Sequence, residues 1–253
     1  ILEAAGRPCG MIGTVQYIVG ARTLPAPNTT PGPVDLQSHL AEMAEAGCRA
    51  AAVEVSSHAL VQRRVEGVRF RVGVFTNLAQ DHLDYHKTPE AYREAKGLLF
   101  RSLEPGATAV LNLDDEASSA YRSLVRVPVV GYGLRPGADV GAEIHAVDFR
   151  GTRLTLRVGG EEVRVSTRLM GRHNAYNILA AAAAARAMGV DLGAIRRGVE
   201  SLAAVPGRLE PVDDGQDFAV MVDYAHTEAS LRNVLECLRP LVRGRLVCVF
   251  GCG

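Results

Sequence analysis

Short apolar runs alternate along this chain with segments that repeat their apolar residues every three or four positions. The runs Ala50–Val55, Val72–Thr76 and Thr108–Asn112 are typical of buried strands, and Asp35–Ala46 and Pro89–Leu103 have the periodicity of helices. Because strands that alternate with helices pair in parallel, this order predicts an α/β fold with a mostly parallel sheet.

A different pattern follows in Ala142–Phe149, Arg153–Val158 and Glu162–Ser166, where polar and apolar residues alternate one by one. Gly-Thr and Gly-Gly pairs separate these three segments. Such alternation around glycine turns predicts a small antiparallel meander. The alanine-rich stretch Asn174–Met188 that comes next predicts a helix, since alanine has the highest helix propensity.

Pro206-Gly207 interrupts the chain between a predicted helix and two further apolar runs, at Phe218–Val222 and Leu246–Phe250. We therefore predict a domain boundary there, which divides the chain into residues 1–205 and 206–253.

The two ends of the chain are unusual for a complete domain. Ile1–Arg7 has the pattern of the end of a helix that stops at Gly6, and the last residues form an apolar run followed by glycines. We expect from these ends that the first domain is truncated at its N-terminus and that the second is only the start of a domain.

Composition excludes several classes of protein. Of the 253 residues 47% are hydrophobic, which excludes a disordered chain, and 28 Lys and Arg balance 28 Asp and Glu. The zero formal net charge argues against a nucleic-acid or membrane-surface partner. No apolar run reaches the roughly 20 residues that span a bilayer. Five scattered cysteines argue against a disulfide framework and predict the reducing cytoplasm.

Polar residues follow two of the predicted strands. Asp81 and His82 come shortly after Val72–Thr76, and Glu54 lies at the end of Ala50–Val55. Ligands of open α/β sheets bind at the carboxyl ends of strands, and these side chains suit a divalent cation. Asp81 and His82 alone are equally well explained as a polar turn with a capping residue, and Glu54 alone is more often a cap. Glu54 beside a parallel strand that ends in Asp81-His82 could complete a cation site, so the two strand ends together favour a site.

Lys96 lies inside the predicted helix Pro89–Leu103, and Lys87 is the only other lysine of the chain. The helix face of Lys96 also carries Tyr92 and Leu99. One interpretation is a side chain that extends along an apolar surface to solvent. The other is an amine with a lowered pKa that is chemically modified, and the residues alone favour the first.

Three other groups suit a nucleotide or a sugar. The loop Asn28–Gly32 offers hydroxyl and amide groups, although its spacing favours a turn that caps the next helix. Asn174 and Asn177 share a helix face, where they either cap the helix or bind an adenine edge. Arg208 and Asp223 flank the first strand after the predicted boundary and suit phosphate and ribose, although each is weak evidence alone.

Together these motifs resemble, in order and spacing, the Mur ligases, which are ATP-dependent amide-bond ligases of bacterial peptidoglycan synthesis. The resemblance covers essentially the whole chain and is greatest for the MurE type, which adds the third amino acid of the peptide. Each motif is modest, but eight in order are highly specific. The motifs are Asn28–Gly32, Glu54–Leu60 with Gln62 and Arg64, Thr76–His86, Glu94–Lys96, Gly171–Asn174, Gly207–Glu210, Asp223–Thr227 and Phe250–Gly253.

The resemblance implies a central P-loop-ATPase-like domain, residues 1–205, followed by the start of a Rossmann-like domain, residues 206–253. The family's phosphate loop, of the type G-x-x-G-x-x-G-K-T, does not occur in the chain and is expected just before Ile1. The isolated chain is therefore expected to be inactive. The family motif that binds the incoming amino acid is also missing, so meso-diaminopimelate and L-lysine both remain open.

The resemblance also implies the reaction, an EC 6.3.2-type peptide synthesis in the cytoplasm by a monomer. The D-glutamyl carboxylate of UDP-N-acetylmuramoyl-L-alanyl-D-glutamate would be phosphorylated by ATP, with Mg²⁺ as cofactor. The amine of the incoming diamino acid would then displace phosphate from the acyl phosphate. Asp223–Thr227 departs from the family in one respect, since Glu228 stands where proline is usual, and either residue suits the first turn of a helix.

Residue roles carry over by position. Lys96 matches a lysine that is usually carbamylated in the family and would act in catalysis together with His82. The implied metal ligands are Glu54, His82 and Lys96. The positions implied to bind the UDP-muramoyl-dipeptide are Asn28, Thr29, Thr30, Ser56, Gln62 and Arg64. The positions implied to bind ATP are Asn174, Asn177, Arg208 and Asp223.

Two alternatives stay open. The chain could belong to another Mur ligase or to a cyanophycin-synthetase-like ligase, although its Asn-Thr-Thr-Pro-Gly loop favours the MurE type. It could instead be a non-catalytic nucleotide-binding module that has lost its phosphate loop. The presence of Glu54, His82 and Lys96 together argues against that module, because a decayed site would not need all three.

Overall fold

The computed structural model describes residues 1–79 and 81–251. Within these residues the strands are β1 (Cys9–Ile12), β2 (Gln16–Val19), β3 (Arg22–Pro25), β4 (Ala50–Val53), β5 (Val72–Phe75), β6 (Thr108–Asn112), β7 (Val129–Gly133), β8 (Val140–Asp148), β9 (Gly151–Val158), β10 (Glu161–Thr167), β11 (Glu210–Val212) and β12 (Val220–Val222). The helices are α1 (Pro33–Glu45), α2 (Ser57–Val61), α3 (Leu83–His86), α4 (Pro89–Arg101), α5 (Ser118–Leu124), α6 (Gly171–Ala187), α7 (Leu192–Glu200) and α8 (Glu228–Leu238), with 3₁₀ turns at Glu3–Ala5 and Arg239–Leu241.

The larger sheet has six strands in the order β10-β9-β8-β7-β6-β5. β5 to β8 are parallel, and β8, β9 and β10 form an antiparallel meander at one side of the same sheet. The predicted α/β fold with a mostly parallel sheet and a small meander is confirmed.

Helix α6 packs against this sheet through an alanine-rich face. Leu179, Ala182 and Ala183 have no exposed surface, because small side chains let the helix approach the strands closely. Its first residue, Gly171, has a φ of 87°, and a Cβ there would lie 2.3 Å from the Sγ of Cys237. Glycine at this position therefore permits both the backbone conformation and the contact with α8.

The smaller sheet has the order β3-β2-β1-β4, with β1 and β4 parallel. The sequence pattern predicts one strand over Met11–Tyr17, and this is wrong, because the chain turns at residues 13–15 and returns as β2. Thr14 in this turn donates its backbone N–H to Glu54 Oε2 at 2.8 Å. The turn is thus stabilised by a residue 40 positions away, which local periodicity does not reveal.

The chain after Pro206 forms the antiparallel pair β11 and β12 and helix α8. A small apolar cluster of Met170, Leu209 and Leu238 joins this part to the start of α6. A strand is also predicted at Leu246–Phe250, but these residues form no strand in the structure, and Val249 is 93% exposed. The division at residue 205 stays a prediction.

In the two described ranges, no helix has both the length and the apolar character that are needed to cross a bilayer.

Candidate active site

Helix α4 positions Lys96 in the fold. Thr88 caps the helix by accepting the backbone N–H of Ala91 at 3.1 Å, and Pro89 occupies the first turn. Buried residues such as Tyr92 and Phe100 fix the inner face of α4. Lys96 is half-buried two turns after the cap, and its Nζ lies 5.0 Å from the centroid of the Tyr92 ring. The ammonium therefore lies in contact with an aromatic surface.

The surroundings of Lys96 oppose its ordinary protonation. Burial lowers the pKa of the Lys96 ammonium, while the carboxylates of Asp81 and Glu54 act in the opposite direction. Two carboxylates from different parts of the chain thus act on one half-buried amine. A lowered pKa increases the fraction of neutral amine, which is the nucleophilic form.

Two tyrosines and three histidines pack against one another, and Tyr92 among them contacts this amine. We call them the Lys96 cluster, which consists of His58, His82, Tyr85, His86, Tyr92 and Lys96. The His58 ring centroid lies 4.9 Å from that of His82 and 4.2 Å from that of Tyr85. Burial lowers the pKa values of His58 and His86, and it raises the pKa of Tyr92 to about 12.

His82 immediately precedes helix α3 and has a left-handed conformation with a φ of 54°. Non-glycine residues seldom adopt this conformation. The side chain is exposed, its backbone N–H donates to Asp81 Oδ1 at 2.7 Å, and its Nε2 lies 3.7 Å from Asp81 Oδ2. Asp81 and His82 therefore form one polar unit beside Tyr92, whose ring centroid is 6.1 Å from that of His82.

Glu54 follows β4, as predicted, but β4 and β5 lie in different sheets and are not the parallel neighbours expected. Glu54 Oε2 accepts the backbone N–H of Thr14 at 2.8 Å and its hydroxyl at 2.9 Å. The structure brings Glu54, Asp81 and Lys96 close enough for their charges to interact. In residues 1–79 and 81–251, no three His, Cys, Asp or Glu side chains already form a metal-binding group.

Thr30 is the centre of a hydrogen-bonded network. We call it the Thr30 network, which consists of Thr30, Glu54, Ser56, Gln62 and Arg64. The Thr30 hydroxyl has no exposed surface; it donates to Glu54 O at 2.7 Å and accepts the N–H of Ser56 at 3.0 Å. Ser56 in turn caps α2 by accepting the N–H of Ala59 at 3.1 Å. The loop is thereby bonded to the end of β4.

Arg64 extends the Thr30 network towards the surface. Its Nη1 donates to Thr30 O at 2.8 Å, and its Nε and Nη2 donate to Gln62 Oε1 at 2.8 and 2.6 Å. Gln62 Nε2 lies 3.4 Å from the hydroxyl of Tyr85, which connects the network to the Lys96 cluster. Since a guanidinium has five N–H groups, Arg64 keeps donors for an anionic ligand.

The first two residues of the Asn28–Gly32 loop are the more accessible ones. Asn28 is exposed, and its carbonyl accepts the hydroxyl of Tyr17. Thr29 is half-buried, and its hydroxyl lies 2.9 Å from that of Thr14. Of the residues predicted to bind substrate, Asn28, Gln62 and Arg64 thus present polar groups, whereas Thr30 and Ser56 use theirs inside the protein.

The predicted nucleotide residues lie at the start of α6 and after Pro206. Asp223 Oδ2 accepts the N–H of Leu209 at 2.8 Å, and its Oδ1 accepts the N–H of Ala225 at 2.8 Å. Leu209 has a φ of 46°, which is rare for leucine, so Asp223 stabilises an unusual turn. The Arg208 guanidinium lies 5.3 Å from the Tyr224 ring centroid.

The charges that act on His173 show that the start of α6 and the chain after Pro206 approach each other. Burial lowers the pKa of His173, the Asp223 carboxylate raises it and the Arg208 guanidinium lowers it. A surface cavity of about 170 Å³ lies next to this region and reaches the β1–β2 turn. Its lining residues are Thr14, Val15, Pro206, Gly207, Arg208 and Tyr224.

A larger cavity, of about 370 Å³, is lined by residues of the meander and of α7. Its lining residues are His145, Arg153, Leu154, Arg164, Val165, Ser166, Arg196 and Glu200, and the predicted site residues are not among them. The larger of these two cavities therefore does not coincide with the predicted site.

Sequence reasoning missed Asp114 and gave no role to Tyr85. Asp114 follows β6, and its buried Oδ2 accepts the Tyr176 hydroxyl at 2.8 Å and the N–H of Leu134 at 2.7 Å. The rule that singled out Glu54, a carboxylate after an apolar strand, would also have found Asp114. Three residues of the recognised motifs, Gln80, Cys252 and Gly253, lie outside the described residues.

Comparison with known families places most of this chain in one of them. The family described as "Mur ligase middle domain" matches residues 1–185, and the family described as "Mur ligase, glutamate ligase domain" matches residues 207–253.

Two similar relatives are both UDP-N-acetylmuramoyl-L-alanyl-D-glutamate–2,6-diaminopimelate ligases. The enzyme of Geobacter metallireducens is 46% identical over 259 aligned residues, which cover 100% of this chain and 51% of the relative. The enzyme of Geobacillus kaustophilus is also 46% identical, with 100% of this chain and 53% of the relative covered. The chain thus spans about half the length of the curated relatives it matches.

Solved structures agree with the fold. A UDP-N-acetylmuramoyl-L-alanyl-D-glutamate–2,6-diaminopimelate ligase superposes with a TM-score of 0.81 at 34% identity, over 100% of this chain and 52% of that chain. MurF from Acinetobacter baumannii superposes with a TM-score of 0.74 at 21% identity, over 94% of this chain and 51% of that chain, and indicates the fold alone.

Proposed function

This chain belongs to the Mur ligase family, and from that membership we propose that it is part of a MurE-type peptide ligase. The full-length protein would join 2,6-diaminopimelate to the D-glutamyl carboxylate of UDP-N-acetylmuramoyl-L-alanyl-D-glutamate. The Mur ligase family uses ATP, and the products would be the tripeptide conjugate, ADP and phosphate. We expect this enzyme to act in the cytoplasm as a monomer.

The observation that carries the proposal is identity over the whole chain to relatives with this name. Eight of them are 42–46% identical, and each alignment covers 100% of this chain. Their names support diaminopimelate rather than L-lysine as the amine.

The reaction has two steps in this proposal. The D-glutamyl carboxylate attacks the γ-phosphorus of ATP, which releases ADP and leaves an acyl phosphate. The neutral amine of diaminopimelate then attacks the acyl carbon; its N–H proton is lost and phosphate leaves with the C–O electron pair. The protein has to bring a carboxylate, a triphosphate and an amine together in a charge-neutralising site.

The Lys96 cluster supports this chemistry. Addition of the neutral Lys96 amine to CO₂, with loss of one N–H proton, would form a carbamate and so replace a cation beside Glu54 and Asp81 by an anion with two oxygen atoms. Glu54, Asp81 and the carbamate are then the oxygen donors that Mg²⁺ prefers, and His82 lies against Asp81. The donor set therefore fits Mg²⁺ once Lys96 is modified. When bound, Mg²⁺ neutralises negative charge on the phosphates and on the developing leaving group.

The other predicted residues divide between the two large substrates. Arg64, oriented by Gln62 and Thr30, would bind a carboxylate or phosphate of the UDP-muramoyl-dipeptide. The predicted substrate residues around it are Asn28, Thr29 and Ser56. For ATP we assign Asn174, Asn177, Arg208 and Asp223, since His173 interacts with the charges of both Arg208 and Asp223.

A single assay tests the proposal. The purified full-length protein is incubated with ATP, Mg²⁺ and UDP-N-acetylmuramoyl-L-alanyl-D-glutamate, and phosphate release is measured with meso-diaminopimelate, L-lysine or no amine. We expect phosphate release and a tripeptide product, identified by mass spectrometry, with diaminopimelate. Phosphate release with L-lysine but not with diaminopimelate would reject diaminopimelate as the amine substrate. No release with either amine, despite measurable ATP binding, would favour a non-catalytic nucleotide-binding module.

A further inference from the structure

Asn174 is the most buried residue of the predicted nucleotide site. Its side chain is 2% exposed, whereas Asn177, one turn later in α6, is exposed. Asn174 Nδ2 donates to Met170 O at 2.8 Å, and Asn174 Oδ1 accepts Asn177 Nδ2 at 3.2 Å. Both ends of the Asn174 amide are therefore occupied within the protein.

The orientation of both amides follows from the Met170 carbonyl. A carbonyl oxygen only accepts hydrogen bonds, so Asn174 must direct its NH₂ group towards Met170. Its oxygen then faces Asn177, which must in turn direct its own NH₂ group towards Asn174. The Asn177 oxygen and one remaining N–H are left for a ligand.

We propose that Asn174 is a positioning residue that fixes the Asn177 amide with its oxygen outward, and that this orientation makes the nucleotide site prefer adenine to guanine. The inference rests on the proposed function, in which Asn177 contacts the base of ATP. It changes the role of Asn174 from a nucleotide contact to a residue that acts through its neighbour.

The preference follows from the hydrogen-bonding edge of each base. Adenine offers an N6 amine donor and an N7 acceptor, which pair with an amide oxygen and an amide N–H of one asparagine. Guanine offers acceptors at both O6 and N7, so its O6 would face the Asn177 oxygen without a proton between them. If the Asn177 amide were free to rotate by 180°, its N–H groups could satisfy O6 and this discrimination would fall.

Two substitutions of Asn174 separate orientation from packing. In Asn174→Ser the hydroxyl can still donate to the carbonyl four residues earlier, but it is too short to accept from Asn177. In Asn174→Asp one carboxyl oxygen can still accept from Asn177, and the other can donate to Met170 O in the protonated form, which burial favours. Asn177→Ala removes the group that contacts the base, and Asn233→Ser is a matched control at an exposed asparagine of α8.

The experiment measures the dissociation constants of ATP and GTP by calorimetry for the full-length protein and these variants. We expect the wild type, Asn174→Asp and Asn233→Ser to prefer ATP by about tenfold or more. Asn174→Ser should lose most of that preference through weaker ATP binding, as Asn177→Ala should, with GTP binding little changed.

Any of the following results would overturn the inference. If Asn174→Ser keeps the wild-type ratio of the dissociation constants for ATP and GTP, Asn177 needs no orienting partner. Equal weakening of both nucleotides in Asn174→Ser means that Asn174 only packs the helix. An unchanged ATP affinity in Asn177→Ala removes the nucleotide site itself and so rejects that part of the proposed function as well. Loss of the ratio in Asn177→Ala but not in Asn174→Ser rejects the positioning role alone.

Discussion

The Thr30 network and the Lys96 cluster lie side by side but are stabilised in different ways. In the Thr30 network, buried or half-buried polar groups bond to backbone atoms, as Thr30 does with Glu54 O and Ser56 N. In the Lys96 cluster, rings lie against rings, and the Lys96 amine contacts the face of Tyr92. The first arrangement gives a rigid loop, and the second leaves charged and titratable groups available for chemistry.

This difference indicates which substitutions should unfold the protein and which should inactivate it. Removing a buried hydrogen-bonding group leaves its partners unsatisfied and lowers stability. Removing a group that neutralises charge in the transition state lowers the rate and has little effect on folding. The four predictions below test this separation in the full-length protein.

The largest effect is expected at Lys96. Lys96→Arg keeps a positive charge and a long side chain but cannot carry a carbamate, so it should lower kcat by about 10²–10³-fold. The free energy of unfolding, measured by urea denaturation, should change little. Lys87→Arg, on an exposed lysine, is the matched control and should keep nearly full activity.

A rescue experiment sharpens the prediction for Lys96. Lys96→Ala should regain part of its activity when a short-chain carboxylic acid is added, because the acid can occupy the place of the carbamate. Nearly full activity of Lys96→Arg would show that an anion at this position is not needed.

The next largest effect is expected on stability, at Thr30. Thr30→Val keeps the shape but leaves the carbonyl of Glu54 and the N–H of Ser56 without their partner. We expect a loss of about 3 kcal/mol in the free energy of unfolding, measured by urea denaturation. Thr23→Val on the exposed face of β3 should change it by less than about 0.5 kcal/mol. An equal free energy of unfolding for Thr30→Val and Thr23→Val would mean that the Thr30 network does not stabilise the Asn28–Gly32 loop.

Arg64 should show a binding effect of intermediate size. Arg64→Ala removes the guanidinium that Gln62 and Thr30 orient, so the KM for the UDP-sugar substrate should rise about tenfold. The KM for ATP should stay near the wild-type value. Arg69→Ala serves as the control, since that side chain is 86% exposed. A higher KM for ATP with an unchanged KM for the UDP-sugar would show that Arg64 binds ATP and not the UDP-sugar.

The smallest effect is expected at Thr88, which begins the helix that carries Lys96. Thr88→Ala removes the bond to the Ala91 N–H and should cost about 1 kcal/mol of stability. Asp191→Ala removes the equivalent cap of α7, at Ala194 N, and should cost a similar amount. Turnover should fall only slightly in either variant. A loss of activity as large as that of Lys96→Arg would show that fold and chemistry are not separable here.

The sequence predicted much of the candidate site, because the relevant residues follow apolar strands or begin helices. Glu54, Asp81 and His82 were found by their position after such strands, and Asn174 and Asn177 by their spacing in a helix. Their assignment to substrates came from the resemblance to the Mur ligases and stays a prediction. Spacing alone did not distinguish Asn177, which is exposed, from Asn174, which is buried.

Local patterns determined the α/β order, the antiparallel meander and the alanine-rich helix α6, because periodicity and turn residues act over a few positions. Tertiary structure decided where the chain turns at Gly13–Val15, since Glu54 binds that turn from 40 residues away. It also decided that Glu54 and Asp81 act on the same lysine although β4 and β5 belong to different sheets. Such contacts depend on how whole elements pack, and that information is distributed over the chain rather than held in any one motif.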